Sequence, residues 1–365
     1  MLGKRKFFLY PIALLYGMIV SLRNMMFSWG ILRSTEFRIP VICVGNITVG
    51  GTGKTPHVEY VSSLLKDNYR LAVVSRGYKR KTKGYYEVSG ISSAWQAGDE
   101  PLQIKRKFPM VRVITDGNRC RAINKLLKQD SPPEVVILDD AFQHRYVKPG
   151  LSILLTDYNR LLTRDYIMPY GYLRESSSMK RQAGIIIVTK TPENIPPINR
   201  RLVEKEIAPL PYQYLFFTTI KYNNPVALEE NAEIKFKVSF ESKKYDILLI
   251  SGIANPETLL THVRKYARIL KHMPFPDHHN FSEKDINGIV DQFNSFSLSP
   301  EKIIVTTEKD AIRISSCFKK EIISKLPVFY IPIEVGFLTK NEEENFYKII
   351  TGYVRKNKPV SSIHF

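Results

Sequence analysis

Eight consecutive residues, Thr48-Val49-Gly50-Gly51-Thr52-Gly53-Lys54-Thr55, carry the groups that phosphate chemistry needs. Three glycines let backbone N–H groups converge on phosphate oxygens with no Cβ in the way. A helix starting near Lys54 would add its N-terminal partial charge. Lys54 can reach β- and γ-phosphates, and the Thr55 hydroxyl can ligate Mg²⁺. The spacing follows G-x-x-x-x-G-K-[ST] except at its first position, where Thr48 replaces glycine and Gly50-Gly51 must take the tight turn.

A second apolar run, "VVILDDAFQHR", ends in two acids, Asp139 and Asp140. Successive strand residues face opposite ways, so one acid can serve a magnesium sphere while the other braces the loop. Gln143 and His144 follow at once and are expected to line the same cleft. "VTKTP" at 188–192 lacks the N-K-x-D arrangement associated with guanine, which favours ATP over GTP. An acceptor hydroxyl also needs a group to take its proton. "AGDEPLQI" sets Asp99 and Glu100 before a proline in an expected loop, and "FPDHHNFS" sets Asp277, His278 and His279 in another. An acid and an imidazole meeting across a cleft would suit that step, and spacing alone leaves open whether they meet. Two further sets could grip an anion: Arg76 within "SRGYKRKTKG", and Arg174 beside Glu175, a phosphate clamp next to a metal acid, in "PYGYLRESSS". Read singly, each of these loops is also ordinary solvated surface.

These residues need a scaffold. "RIPVICVGN" reads as a strand entering the glycine-rich loop, and "TPHVEYVSSLLKDNY" as the helix leaving it, with Val58, Val61, Leu64 and Leu65 at helical spacing. "RLAVVSRGY", "LSILLTD" and "AGIIIVTKTP" are further apolar strands, as expected where both sheet faces are covered. Buried strands separated by helical segments predict an α/β, P-loop NTPase-type doubly wound sheet, mostly parallel, with ligands at the carboxyl ends of its strands. After a proline-rich stretch near 193–212, "YLFFTTIKY" and "EIKFKVSF" alternate like antiparallel ribbon. The expected organisation is an N-terminal helix over 1–30, a P-loop domain over 31–212, a smaller α/β domain over 213–345 joined by a β-ribbon linker, and a C-terminal helix or tail over 346–365.

A formal net charge of +19 favours a polyanionic partner: nucleic acid, an anionic membrane surface or a phosphorylated substrate. The N-terminus narrows the choice. Lys4-Arg5-Lys6 precede an uncharged run, Phe7 to Leu22, that falls short of the ~20 residues needed to span a bilayer. No small-x-small cleavage site follows, so a helix lying in the membrane interface is expected, its basic cluster on anionic headgroups. Cys43, Cys120 and Cys317 lack C-x-x-C spacing, which argues against a disulfide framework or zinc site and fits a reducing cytoplasm.

Taken together, "GNITVGGTGKTP", "SRGY", "GDEP", "DGNR", "ILDDAFQHR", "GYLRE", "FPDHH" and "TEKDAIR" follow one another as in a single family. The sequence closely resembles the tetraacyldisaccharide 4'-kinases of lipid A biosynthesis, membrane-associated enzymes of Gram-negative bacteria. Thr48 then stops being an exception, because T-V-G-G-T-G-K-T is this family's own form. The departures are small: "GYLRE" stands where "GPLRE" is usual, and His279 is variable.

The resemblance implies transfer of the ATP γ-phosphoryl group to the 4'-hydroxyl of a lipid A disaccharide 1-phosphate precursor. It implies Asp99 as the catalytic acid/base working with His278, and Lys54 within a phosphate loop spanning Thr48 to Thr55. Thr55, Asp139, Asp140 and Glu175 would serve the Mg²⁺ site, with Gln143, His144 and Arg174 lining it. The expected location is the cytoplasmic face of the inner membrane, on an anionic surface, and no nucleic-acid partner is expected. The alternative is a deviant P-loop ATPase coupling hydrolysis to assembly or DNA positioning, a class that carries a signature lysine where Val49 stands here. A non-catalytic membrane adaptor is a third reading, against which Lys54, Thr55 and Asp139 argue.

Overall fold

The computed structural model describes residues 8–78, 80–228, 243–253, 256–277, 279–297, 299, 301–317 and 326–358. Helix α1 (Tyr10–Ser28) leads into strand β1 (Val41–Asn46), helix α2 (Lys54–Leu65), β2 (Leu71–Ser75) and β3 (Tyr86–Val88). A short turn, α3 (Ala94–Ala97), runs directly into α4 (Asp99–Lys107), followed by β4 (Arg112–Thr115), α5 (Arg119–Leu127), β5 (Val135–Asp139) and β6 (Leu151–Asp157). Next come β7 (Ile185–Thr189), α6 (Pro197–Ile207), β8 (Tyr214–Tyr222), β9 (Val226–Ala227), β10 (Tyr245–Ser251), α7 (Glu257–Val263) and β11 (Ala267–Pro274). The chain closes with α8 (Glu283–Ser295), β12 (Lys302–Thr307), α9 (Glu308–Cys317), β13 (Val328–Ile331), β14 (Ile333–Phe337) and α10 (Lys340–Asn357).

The larger sheet has the order β14-β8-β7-β6-β1-β5-β2-β4-β3, and the smaller one β11-β10-β12-β13-β9. Only β3 and β14 run antiparallel in the larger sheet, as expected for a doubly wound fold. Strands β1, β2, β5 and β7 are buried along their whole length, which is why their sequences are continuous apolar runs rather than alternating ones. Strand order reverses at β1, which lies between β5 and β6, so the loop after β1 opens at the topological switch point. Register sets Val44 beside Asp139, bringing the two chemistry-bearing strand ends level.

The sheets divide the chain differently from the expected boundaries at 212 and 345. Strand β8 pairs in parallel with β7 on one side and antiparallel with β14 on the other, so both strands belong to the larger sheet. The physical reason is burial: Phe216, Phe217, Val335 and Phe337 fill the larger unit's core. The same antiparallel pair is also the ribbon linking the units, since β8 runs on towards β9 and β13 runs on into β14. "EIKFKVSF", the other expected ribbon strand, lies outside the described residues. Helix α10 begins at Lys340, capped by Thr339, and returns to the larger unit, where the Tyr353 hydroxyl bonds the backbone of Val41.

Helix α1 stands apart from this core. Ala13, Gly17 and Phe27 face inward, and a Cβ on Gly17 would meet the Ile167 side chain at 3.2 Å. Ile12, Leu15, Ile19 and Leu22 recur at helical spacing on the other side, each more than half exposed. At 19 residues and mean hydropathy 1.2, α1 is long and apolar enough to cross a membrane by length and composition. The helix is therefore longer than the uncharged run suggested, because Arg23 and Asn24 turn inward and do not end it. Lys4-Arg5-Lys6 lie outside the described residues.

Candidate active site

The loop after β1 is held from outside by its carbonyls. Arg160 donates to Val49 O at 2.8 Å, Lys190 to Gly51 O at 2.5 Å and Thr189 to Thr52 O at 2.9 Å. Asn46 ties the interior, its amide donating to Thr52 Oγ1 at 2.7 Å and Thr48 Oγ1 at 3.4 Å. With the carbonyls turned outward, the N–H groups of Gly50, Gly51 and Gly53 have no protein acceptor among the described residues, an arrangement suited to phosphate oxygens. Gly50 (φ 106°) and Gly53 (φ 82°) occupy the left-handed region that glycine adopts without strain. Thr48 sits in an antiparallel bridge to Leu173, and Val49 N donates to Tyr172 O at 2.8 Å. The "GYLRE" stretch is thus the second wall of the loop, and threonine suits the position because its backbone is extended there.

The charged groups converge where β1 and β5 end. Lys54 Nζ lies 3.7 Å from Asp140 Oδ1, and Arg174 Nη1 lies 3.5 Å from Asp140 Oδ2. Asp140 takes a positive φ of 47°, in the left-handed region. Asp139 is buried, with Oδ2 accepting from Ser75 Oγ at 2.8 Å and Oδ1 without a hydrogen-bond partner. Burial first, then the charges of Glu100 and Asp140, push its carboxyl up to about 7. A buried carboxylate oxygen with no donor beside a phosphate loop suits a hard cation, so Asp139 fits the expected Mg²⁺ role. Among the described residues no three His, Cys, Asp or Glu side chains form a cage. Mg²⁺ commonly binds through one or two carboxylates plus phosphates and water, so such a cage is not required.

One expected loop is ordered otherwise. Asp99 and Glu100 form the first turn of α4, where acids are favoured by the exposed N–H groups and Pro101 needs no helical donor. Gly98 starts that helix at φ 88°, and a Cβ there would meet Gly77 Cα and Tyr78 O at 3.3 Å, so "GDEP" packs directly on "SRGY". The Asp99 carboxylate meets Arg313 of α9, with Nη2–Oδ2 at 2.6 Å. "TEKDAIR" and "GDEP" are therefore neighbours.

His278 lies outside the described residues. Of the described residues in that stretch, Pro276 has its carbonyl 3.1 Å from a Cβ built on Gly252, and His279 pairs with Asp285 at 3.1 Å. Gly252 N in turn donates to Asp310, which binds Arg313.

Other expected residues are placed as follows. Gln143 donates to Asn46 O at 2.5 Å, bracing the end of β1. His144 accepts from Arg119 N at 3.3 Å, and burial together with Arg119, Arg23 and Arg76 pushes its pKa down to about 4, so the ring is neutral. Arg76 is exposed just beyond β2. Glu175 is buried and meets Asn24 at 3.5 Å and Arg23 at 3.9 Å; its contacts join it to α1 and not to Asp139. Four contributors went unmarked in the sequence reading: Ser75, Arg119, Arg160 and Lys190. Arg119, buried under Asp139 and Asp140, stands in the quoted "DGNR", which was a usable signal; nothing local marked Arg160 or Lys190.

A family model described as Tetraacyldisaccharide-1-P 4'-kinase matches residues 5–353. The chain belongs to this family. A tetraacyldisaccharide 4'-kinase from Bacteroides thetaiotaomicron is 47% identical, with 97% of this chain and 94% of that protein aligned. One from Flavobacterium johnsoniae is 41% identical, covering 96% and 97%. Among solved structures, LpxK from Aquifex aeolicus in complex with ATP is similar at a TM-score of 0.70 and 30% identity, covering 94% of this chain and 98% of that one. As a tetraacyldisaccharide 4'-kinase family member, the chain is an ATP-dependent lipid kinase of lipid A biosynthesis. Nothing in these likenesses supports the assembly or DNA-positioning ATPase.

Proposed function

We propose that Thr48–Thr55 holds the ATP phosphates, that Asp99 acts on the acceptor hydroxyl, and that α1 seats the enzyme on an anionic membrane surface. The carrying observation is the convergence of Lys54, Asp139, Asp140 and the first turn of α4 beside the carboxyl ends of β1 and β5. Asp99 takes the proton of the 4'-hydroxyl of a tetraacyldisaccharide 1-phosphate. The hydroxyl oxygen bonds to the γ-phosphorus, the bond to the β–γ bridging oxygen breaks, and ADP leaves. Lys54 and the glycine N–H groups orient the phosphates, and Arg174 offers a second cation. Thr55 and Asp139 would hold Mg²⁺, which supplies charge neutralisation at the phosphates when bound. His278 is proposed as the partner of Asp99, since Pro276, two residues before it, adjoins the Gly252–Asp310–Arg313 chain that ends on Asp99.

The two sheets are proposed as domains that close about the β8–β14 ribbon, excluding water during transfer. A cytoplasmic-face position at the inner membrane is part of this proposal, and the exposed apolar side of α1 supports a seat on a membrane surface. The same helix touches the site: the Tyr16 hydroxyl donates to Arg174 O and Arg23 to Gln143 O. Steady-state kinetics of Asp99→Ala with MgATP and lipid acceptor test the role of Asp99. The expected result is a kcat loss of roughly 10²-fold or more with KM little changed. An unchanged kcat would remove Asp99 from the chemistry.

A further inference from the structure

Arg313 is a cation buried where the two units meet, at 3% exposure, and its guanidinium is shared between two acids. On its own helix, Nη1 lies 3.2 Å from Asp310 Oδ1. Asp310 is wholly buried and anchored to the smaller unit: its Oδ2 accepts from Gly252 N at 2.8 Å and from Thr307 Oγ1 at 2.7 Å. The rest of the guanidinium reaches the larger unit, with Nε and Nη2 at 2.7 and 2.6 Å from the same oxygen of Asp99, Oδ2. One residue later and one helical turn earlier the crossing repeats, Lys309 Nζ lying 3.1 Å from Glu100 Oε1.

A planar guanidinium clamped by Asp310 on one side and forked onto a single oxygen on the other fixes the position of that Asp99 oxygen through two converging donors, which one mobile ammonium would not. Salt bridging alone would not require such burial, because a desolvated cation is costly unless all its neighbours are matched. We propose that Arg313 is a positioning residue for phosphoryl transfer: through Asp310 it carries the placement of the smaller unit to Asp99, so that the carboxylate is correctly oriented only when the units are correctly docked. This rests on the reading of Asp99 as the acid/base. Arg313 touches neither nucleotide nor acceptor in this account.

The test is a double-mutant cycle between Arg313→Met and Asp99→Asn, read as kcat and KM for MgATP and for tetraacyldisaccharide 1-phosphate. Misplacement of a reacting group by about 1 Å costs on the order of 10²-fold. Arg313→Met is therefore expected to lower kcat about 10- to 100-fold with KM within about twofold, and to lower it little further in the Asp99→Asn background. Arg313→Lys, keeping charge but not the fork, should recover only part of the loss. An equal loss in both backgrounds, a change confined to KM, or full activity of Arg313→Lys would overturn the proposal. Full activity of Asp99→Asn alone would instead overturn the acid/base reading beneath it. If Arg313→Met fails to fold because Asp310 is left without its cation, Asp310→Leu/Arg313→Met removes both charges and the same cycle is run on that pair.

Discussion

His57 joins the phosphate loop to the strand that leads to the smaller sheet: Nε2 lies 3.0 Å from Thr218 Oγ1 on β8, while Nδ1 lies 2.7 Å from Gly53 O. The Gly53 carbonyl can only accept, so Nδ1 carries the proton and Nε2 accepts from the threonine hydroxyl. Thr218 pairs in register with Phe337 of β14, so one neutral imidazole links the loop's last glycine to both linker strands.

That linkage predicts a pH dependence. Burial holds His57 down to about 4, against 6.5 for an exposed ring. The unfolded chain takes up a proton near 6.5 and the folded chain resists it, so this contribution is intact above 6.5, declines as pH falls, and levels off below about 4. The loss is on the order of 3 kcal/mol. Urea unfolding of wild type and His57→Gln at pH 7.5 and 5 checks it: the gap in stability should narrow at the lower pH, and a constant gap would contradict it.

A buried ion pair ties the phosphate-loop helix to α4. Glu59 of α2 is buried, with Lys107 Nζ at 2.6 Å and Gln103 Nε2 at 2.8 Å, both from the helix that begins with Asp99. Burial pushes the Glu59 carboxyl up, and Lys107 draws it back. Lys107→Met should destabilise by up to about 3–5 kcal/mol at pH 8, where the fold must bury an unpaired Glu59 charge or take up a proton to avoid it, and by less at pH 5, where Glu59 is protonated with or without Lys107. Chemical denaturation at the two pH values measures this. Glu59→Gln in the Lys107→Met background should recover most of the loss.

Lys54 is expected to act on chemistry and not on folding. Its ammonium is partly exposed and 3.7 Å from Asp140. Lys54→Ala should lower kcat/KM by roughly 10²–10³-fold, the scale seen when one preorganised donor to a developing charge is removed. Its thermal midpoint should stay within a few degrees of wild type, and a large drop would show a structural role instead.

Helix α1 predicts membrane binding through one face. Ile12→Glu/Ile19→Glu places charges on the exposed apolar side without touching Asn24 or Arg23. Co-sedimentation with vesicles containing anionic lipid should fall tenfold or more, by the order of magnitude expected for two lost apolar anchors. ATP binding should be unchanged. Equal sedimentation of both proteins would remove this face from the membrane.

The sheet and the phosphate loop were legible because they rest on local signals: an apolar run before Gly50-Gly51, a helix opening at Lys54, an apolar run ending at Asp139. Register then did the rest, setting Val44 level with Asp139. The linker was half legible. The alternation of β8 spoke for a ribbon, but its partner β14 lies over a hundred residues away, and no local pattern names a long-range partner. The same limit hid Arg313: "TEKDAIR" reads as strand then helix, and only the packing of α9 on α4 brings its guanidinium to Asp99. Arg160 and Lys190 were invisible for a related reason: what they hold in the phosphate loop are the backbone carbonyls of Val49 and Gly51, which carry no side-chain signature, and Lys190 pairs besides with Asp157.

The central claim is that these groups form one phosphoryl-transfer site for a lipid acceptor. Wild-type protein and Lys54→Ala, both shown to be folded, are incubated in detergent with [γ-³²P]ATP, Mg²⁺ and a tetraacyldisaccharide 1-phosphate, and the lipid is recovered and its 4'-position assigned by mass spectrometry. Wild type should yield lipid carrying one added phosphate at the 4'-oxygen, with Lys54→Ala slower by about two orders of magnitude. Folded wild type that leaves the lipid unlabelled, or that labels it no faster than Lys54→Ala, would contradict the account.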